Sequence, residues 1–235
     1  MKISNCTCLK LSILLLPVLI SIFPFYICAS PEIIIQTGHS ELVTSVSFSP
    51  DGKYALSGSN DNTIKLFDIA KGKEIRTLIG HSNAVYSLTF LPDGKTAISC
   101  SSDQTIKLWD IPTGKVIRTL SGHKGDITSL SISPDGRYAI SGSRDKTVKL
   151  WDLITGEEIN TFVGHSTEVE DVCFSPNGLY AASGGRDNKI KLWEIHSGKE
   201  IRTFTSTNNS SWFSSVKFSP DSKFIVSNSF DGIIQ

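Results

Sequence analysis

The sequence lacks a surplus of either charge: 23 Lys and Arg stand against 23 Asp and Glu, with 20% of positions charged. A dedicated nucleic-acid binder needs basic excess to displace phosphate counterions, so the balance argues against that class. It also argues against an acidic disordered chain, as does a 39% apolar content with 12 Phe, 4 Trp and 5 Tyr. Glycine (18) and proline (9) are too ordinary in number for a collagen-like or low-complexity chain. Cysteine is scarce where it would matter. Cys6, Cys8 and Cys28 fall in the N-terminal segment, which leaves Cys100 and Cys173 for the rest and excludes a disulfide-stapled scaffold. No P-loop, dinucleotide fingerprint or nucleophile elbow occurs. Helix-period apolar stretches are missing after residue 31, which excludes a βαβ architecture.

What is present begins with an apolar leader. Residues 11–27 (LSILLLPVLISIFPFYI) carry no charge; Lys2 and Lys10 precede them and the small residues Cys28, Ala29 and Ser30 follow. A positive n-region, an apolar h-region and a small-residue end make residues 1–30 a signal peptide, with Pro24 breaking the helix ahead of the cleavage zone. An uncleaved signal anchor is the alternative, since 17 such residues nearly span a bilayer. Either way the positive N-terminus stays inside and the remainder is delivered outside the cytoplasm, secreted, periplasmic or membrane-anchored. A miscalled start would instead leave the chain cytoplasmic.

The remainder repeats every 42 residues. Gly-His recurs at Gly38-His39, Gly80-His81, Gly122-His123 and Gly164-His165. An aromatic-acidic pair keeps the same step at Phe67-Asp68, Trp109-Asp110, Trp151-Asp152 and Trp193-Glu194. Turn signals fall between them in register, from Ser49-Pro50-Asp51-Gly52 to Ser175-Pro176-Asn177-Gly178, and again at Lys71-Gly72, Thr113-Gly114, Thr155-Gly156 and Ser197-Gly198. Each period reads as four short strands; in the first copy these are Val43–Phe48, Tyr54–Ser59, Ile64–Asp68 and Glu74–Leu78. A fifth copy begins two residues out of step with Ser219-Pro220-Asp221-Ser222.

The combination of GH, SPDG and SGSxDxTIKLWD at a fixed step resembles the WD-repeat β-propeller family over essentially all of residues 32–235. The resemblance implies an all-β propeller of four complete blades and a partial fifth, with repeats at 38–79, 80–121, 122–163, 164–205 and 206–235. At about 4.7 repeats the ring reads as incomplete, and residues 32–37, one period before 74–79, read as a closing fourth strand for the last blade.

Every full copy carries a His, a Ser and an Asp: His39, Ser57, Asp61; His81, Ser99, Asp103; His123, Ser141, Asp145; His165, Ser183, Asp187. These residue types perform nucleophilic catalysis, yet an active site occurs once and this set recurs in every repeat. The resemblance implies internal hydrogen-bonded tetrads completed by Trp109, Trp151 and Trp193, with Asp orienting the imidazole and the indole donating to Ser. Phe67 denies the first copy its indole. In the fifth, Asn209 stands where His belongs while Ser227 and Asp231 are kept. The third copy is therefore expected to be the stiffest, with the first and fifth looser. One His per blade leaves these residues too far apart to share an ion, and no Cys pair has ligand spacing, so neither metal nor other cofactor is expected. Asn208 and Asn209 begin Asn-X-Ser sequons, relevant only in a eukaryotic secretory pathway.

The resemblance also implies a rigid interaction platform, with partners docking on the face formed by loops into the first and third strands. The positions that vary there include Tyr86, Arg144, Arg186, Trp212 and Phe230, of the types that dominate interface hot spots. Other proteins or peptides are the expected partners, nucleic acid is not, and residues 11–27 supply a possible membrane tether. An exported enzyme or small-ligand sensor using the central channel is the alternative; it requires a polar cluster that does not repeat.

Overall fold

The computed structural model describes residues 38–205 and 212–229. The expected N-terminal hydrophobic helix, the expected strand at 32–37, Asn208, Asn209, Phe230 and Asp231 lie outside these residues. The first sheet holds β1 (Val43–Phe48), β2 (Tyr54–Ser59), β3 (Thr63–Asp68) and β4 (Lys73–Ile79). The second holds β5 (Val85–Phe90), β6 (Thr96–Ser101), β7 (Thr105–Asp110) and β8 (Lys115–Ser121). Then come β9 (Ile127–Ile132), β10 (Tyr138–Ser143), β11 (Thr147–Asp152) and β12 (Glu158–Val163). The fourth sheet is β13 (Val169–Phe174), β14 (Tyr180–Gly185), β15 (Lys189–Glu194) and β16 (Glu200–Thr205). Of a fifth, β17 (Phe213–Phe218) and β18 (Ile225–Ser229) are described. All pairings are antiparallel and sequential, and no helix occurs among the described residues.

The expected strands of the first copy are present, but β3 and β4 are longer than the apolar alternation suggests. Thr63 pairs with Ile79 and Asp68 with Lys73, so the backbone ladder continues past the buried apolar alternation into end pairs that are half-buried on β3 and exposed on β4. The turns follow from chemistry at single positions. Gly52, Gly94, Gly136 and Gly178 sit at φ 69, 65, 71 and 74, and Ser222 takes the same left-handed conformation at φ 62 in the fifth copy.

The first strands β1, β5, β9, β13 and β17 lie side by side, and the sheets stack face to face around them as blades. Core residues therefore sit between blades. Leu56, Ile64, Leu66 and Leu78 of blade 1 pack on Val85, Leu88, Phe90 and Trp109 of blade 2. The same arrangement recurs between blades 2 and 3, 3 and 4, and 4 and 5. Each such side chain contributes about 1.5–3 kcal/mol only while the neighbouring blade covers it. Gly122 explains why each repeat opens on glycine: a Cβ there would stand 2.8 Å from Glu158 Oε2 and 3.0 Å from Trp151 Cη2.

Candidate functional site

The recurring polar residues meet inside each blade. In blade 2, His81 Nδ1 lies 2.8 Å from Asp103 Oδ2 and Nε2 lies 2.7 Å from Ser99 Oγ. Trp109 Nε1 donates to the same Oγ at 2.8 Å. Asp103 accepts the Nδ1 proton, so Ser99 donates to Nε2 and accepts from the indole. Blade 3 repeats this with His123–Asp145 at 2.8 Å, His123–Ser141 at 2.7 Å and Trp151–Ser141 at 2.8 Å. In blade 4, His165 lies 3.0 Å from both oxygens of Asp187 and 2.8 Å from Ser183, which receives Trp193 at 2.8 Å. Blade 1 keeps His39–Asp61 at 2.8 Å and His39–Ser57 at 2.7 Å, with Phe67 in the indole's place. Ser57, Ser99, Ser141 and Ser183 are all fully buried, which leaves a substrate no path to their hydroxyls. Ser227 of blade 5 is buried as well.

Two further layers of these sets have only weak sequence signals. Thr63, Thr105 and Thr147, each two residues after the aspartate, donate to it at 2.6 Å, whereas blade 4 has Lys189 there. The amides of Ser40, Ser82, Lys124 and Ser166 donate to the same carboxylates at 2.9–3.0 Å. Burial would raise the pKa of Asp61, Asp103, Asp145 and Asp187. The hydrogen bonds from imidazole, threonine and loop amide outweigh it in Asp61, Asp103 and Asp145, holding them well below the usual carboxylate range, and those from imidazole and loop amides lower Asp187. The lysine of each KLW or KLF run forms the second layer. Lys149 Nζ donates to Glu158 at 2.8 Å and Thr161 at 2.7 Å, and Lys191 and Lys65 do likewise with Glu200 and Glu74. Lys107 has Thr119 but no glutamate, because Val116 occupies that position.

Asp171 went unnoticed in the sequence, where its one signal is an acid in a column otherwise filled by Ser45, Ser87, Ser129 and Ser215. It is 9% exposed on β13 and ties three blades together. Oδ1 accepts from Ser129 Oγ of blade 3 at 2.6 Å and from Val172 N at 3.0 Å. Oδ2 accepts from Ser215 Oγ at 2.9 Å, Val216 N at 2.9 Å and Lys217 Nζ at 2.7 Å, all of blade 5. Cys100 and Cys173 are buried free thiols; burial raises both, Cys173 to about 12, so neither is a nucleophile at neutral pH. No metal-binding cluster of His, Cys, Asp and Glu occurs among the described residues.

The varying loop positions are organised by a bulge near the start of each first strand, where Thr44, Tyr86, Thr128, Glu170 and Ser214 are skipped by the register. Thr128 uses its hydroxyl to bond Val169 O of the next blade at 2.7 Å. Tyr86 and Glu170 face arginines instead. Arg144 Nη1 donates to Asp126 Oδ2 at 2.9 Å, and its guanidinium carbon lies 5.7 Å from the Tyr86 ring centroid. Arg186 Nε donates to Glu170, and its guanidinium lies 4.1 Å over the Trp212 ring. The structure thus brings four of the five candidate face residues into two cation–π pairs, each joining adjacent blades. Phe230 lies outside the described residues. Both arginine side chains stay partly open, at 45% for Arg144 and 34% for Arg186.

Comparison with known proteins matches the family model for the WD domain, G-beta repeat, to residues 31–68, 72–110, 114–152, 156–194 and 198–235. These segments are offset from the sheets, each of the first four ending with the third strand of a blade. Ribosome assembly protein 4 of Saccharomyces cerevisiae is 58% identical over 38 residues, 16% of this chain and 7% of that protein. Ribosome biogenesis protein BOP1 homologs of Drosophila willistoni and Drosophila persimilis are 48% identical over 42 residues, 18% of this chain and 5% of theirs. The chain spans less than a tenth of the length of these curated relatives, about one repeat in each case.

Proposed function

Since this chain belongs to the WD40 repeat family, we propose that it is a non-catalytic scaffold that binds other proteins or peptides on its bulged-loop face. The observation that carries this reading is the division of labour among polar groups. Those of the His-Ser-Asp sets repeat and are buried and mutually satisfied, whereas the columns that hold Tyr86, Arg144, Arg186 and Trp212 vary among the copies, Arg144 and Arg186 alone being shared by two, and these residues cluster beside the bulges. A channel enzyme or ligand sensor would need a non-repeating cluster with groups to spare. The cluster around Asp171 does not repeat, but both its carboxylate oxygens already accept from protein donors. The ribosome-assembly relatives share a single repeat, which supports the blade and assigns no ribosomal role.

The proposal places the repeats outside the cytoplasm, secreted, periplasmic or tethered through residues 11–27; the charge and apolarity of the leader support this. Among the described residues no helix is long and apolar enough to cross a membrane, and the leader lies outside them. Cell fractionation with protease protection tests the location, a protease-shielded cytoplasmic pool being the contrary result.

Replacing both Arg144 and Arg186 by alanine is expected to weaken a captured partner at least about tenfold, as loss of interface arginines does. The melting temperature should shift by only a few degrees, since partly exposed ion pairs contribute about 0–1 kcal/mol each. Quantitative pull-down against a melting curve checks it, and unchanged capture removes the two residues from the face.

A further inference from the structure

At the strand ends opposite the bulged loops, an arginine staples each of the first two blade boundaries. Arg76 Nη1 of blade 1 donates to Pro112 O of blade 2 at 2.7 Å. Arg118 of blade 2 donates to Ile154 O of blade 3 at 3.0 Å and also to Thr155 O. The third boundary has Asn160 in that column. Asn160 reaches only the turn glycine, where a Cβ on Gly198 would stand 3.0 Å from its Cγ. Among the described residues nothing donates to His196 O, the carbonyl equivalent to Pro112 O and Ile154 O. A second cation is missing at the same boundary. Lys53, Lys95, Arg137 and Lys223 share a column in which blade 4 has Leu179, 59% exposed. In blade 3, Arg137 pairs with Asp152 at 3.2 Å. The acid of blade 4 is Glu194, whose carboxylate accepts from the Ser197 hydroxyl and, among the described residues, pairs with no cation.

With both cations gone, a groove of about 350 Å³ opens between blades 3 and 4, inside the size range of ligand sites. Tyr138, Ile159, Leu179, Tyr180 and Glu194 line it, together with His196. Both bounding blades are described in all four strands, so the groove does not arise from the ends of the chain. We infer that this groove binds an arginine, with an apolar residue beside it, from an extended segment of a partner protein. The two equivalent boundaries show which group fits the carbonyl, since the chain's own guanidinium sits there in both. A guanidinium fork can serve that carbonyl and the Glu194 carboxylate together, which a lysine ammonium does less well. Tyr138 and Tyr180 offer ring faces for its plane. Leu179 and Ile159, 59% and 50% exposed, cover the apolar neighbour. An acidic segment would meet Glu194 and find no counter-charge in Asn160 or Leu179. The groove lies across the blades from Arg144 and Arg186, so this is a second site, independent of the bulged-loop face.

The test is fluorescence anisotropy of a labelled Ser-Gly-Leu-Arg-Gly-Ser peptide titrated with the purified full chain. A second peptide carries citrulline for arginine, which keeps the shape and removes the charge. The arginine peptide should bind saturably and at least about tenfold more tightly, the usual gain from hydrogen bonds between charged groups. Glu194→Gln should abolish that preference. Asn160→Arg should weaken binding of the arginine peptide at least about tenfold, because the chain then supplies its own guanidinium as blades 1 and 2 do. If Asn160→Arg loses its β-sheet circular dichroism, Leu179→Lys repeats the design with the residue type of the other copies. The Arg144→Ala, Arg186→Ala double variant should bind the peptide as the parent chain does. No saturable binding, equal affinity for the two peptides, or undiminished binding by a folded Asn160→Arg chain each overturns the inference. So does loss of binding in the double variant, which would move the peptide to the bulged-loop face.

Discussion

Asp171→Ala is expected to lower the unfolding free energy by about 2–4 kcal/mol, because it removes the acceptor shared by blades 3, 4 and 5. Ser215 and the buried amide of Val216 lose their acceptor, while Ser129 and the amide of Val172 are left with only their 3.3 Å contact to each other. Lys217 adds little to the cost; its side chain is 64% exposed, so water solvates the released charge. A serine should do better than an alanine here. Ser45 Oγ accepts from Leu88 N in the equivalent place, so Asp171→Ser should recover about half of the loss. Urea unfolding of the two variants beside the parent chain measures both. Equal stability of Asp171→Ala and the parent would mean that the carboxylate binds nothing the solvent cannot replace.

Asp145→Ala should cost about 3 kcal/mol, which for a chain of this length is a fall of roughly 6–12 °C in melting temperature. The carboxylate receives His123 Nδ1 at 2.8 Å, the Lys124 amide at 2.9 Å, and Thr147 through its amide at 3.0 Å and its hydroxyl at 2.6 Å. Its removal strands an imidazole whose side chain is fully buried. Ser57→Ala in blade 1 should cost only about 1 kcal/mol, since Ser57 there holds a single hydrogen bond, to His39, and no indole. Scanning calorimetry of both variants gives the comparison. Equal losses would show that the indole-bearing set is no more cohesive than the truncated one.

The repeat makes much of this legible in the sequence. The 42-residue step placed the strands, and the turn residues placed their ends to within one position. The His, Ser, Asp and Trp positions could be read because their spacing persists across sheets. What escaped notice was whatever breaks the pattern or lacks a distinctive residue type. Thr105 resembles any strand threonine until its hydroxyl is seen on Asp103. Asp171 departs from a serine column, but its meaning depends on Ser129 and Lys217, which are 42 and 46 residues away in sequence. Tyr86 and Arg144 were each visible as interface types; that they stack across a blade boundary is a tertiary fact.

The central claim is that cohesion follows from the completeness of each blade's polar set together with burial on both faces. Blade 3 has the full His123–Ser141–Asp145–Trp151 set, Thr147, the Lys149–Glu158–Thr161 cluster and a blade on either side. Blade 2 lacks the glutamate and blade 4 the threonine, while blade 1 lacks the indole and, among the described residues, leaves Val46 and Phe48 exposed. Hydrogen exchange followed by mass spectrometry on the intact chain tests this most directly. Protection should be greatest in the peptides of β9–β11, intermediate in β5–β7 and β13–β15, and lowest in β1–β2 and β17–β18. Uniform protection across all five blades, or a maximum in blade 1, would contradict it.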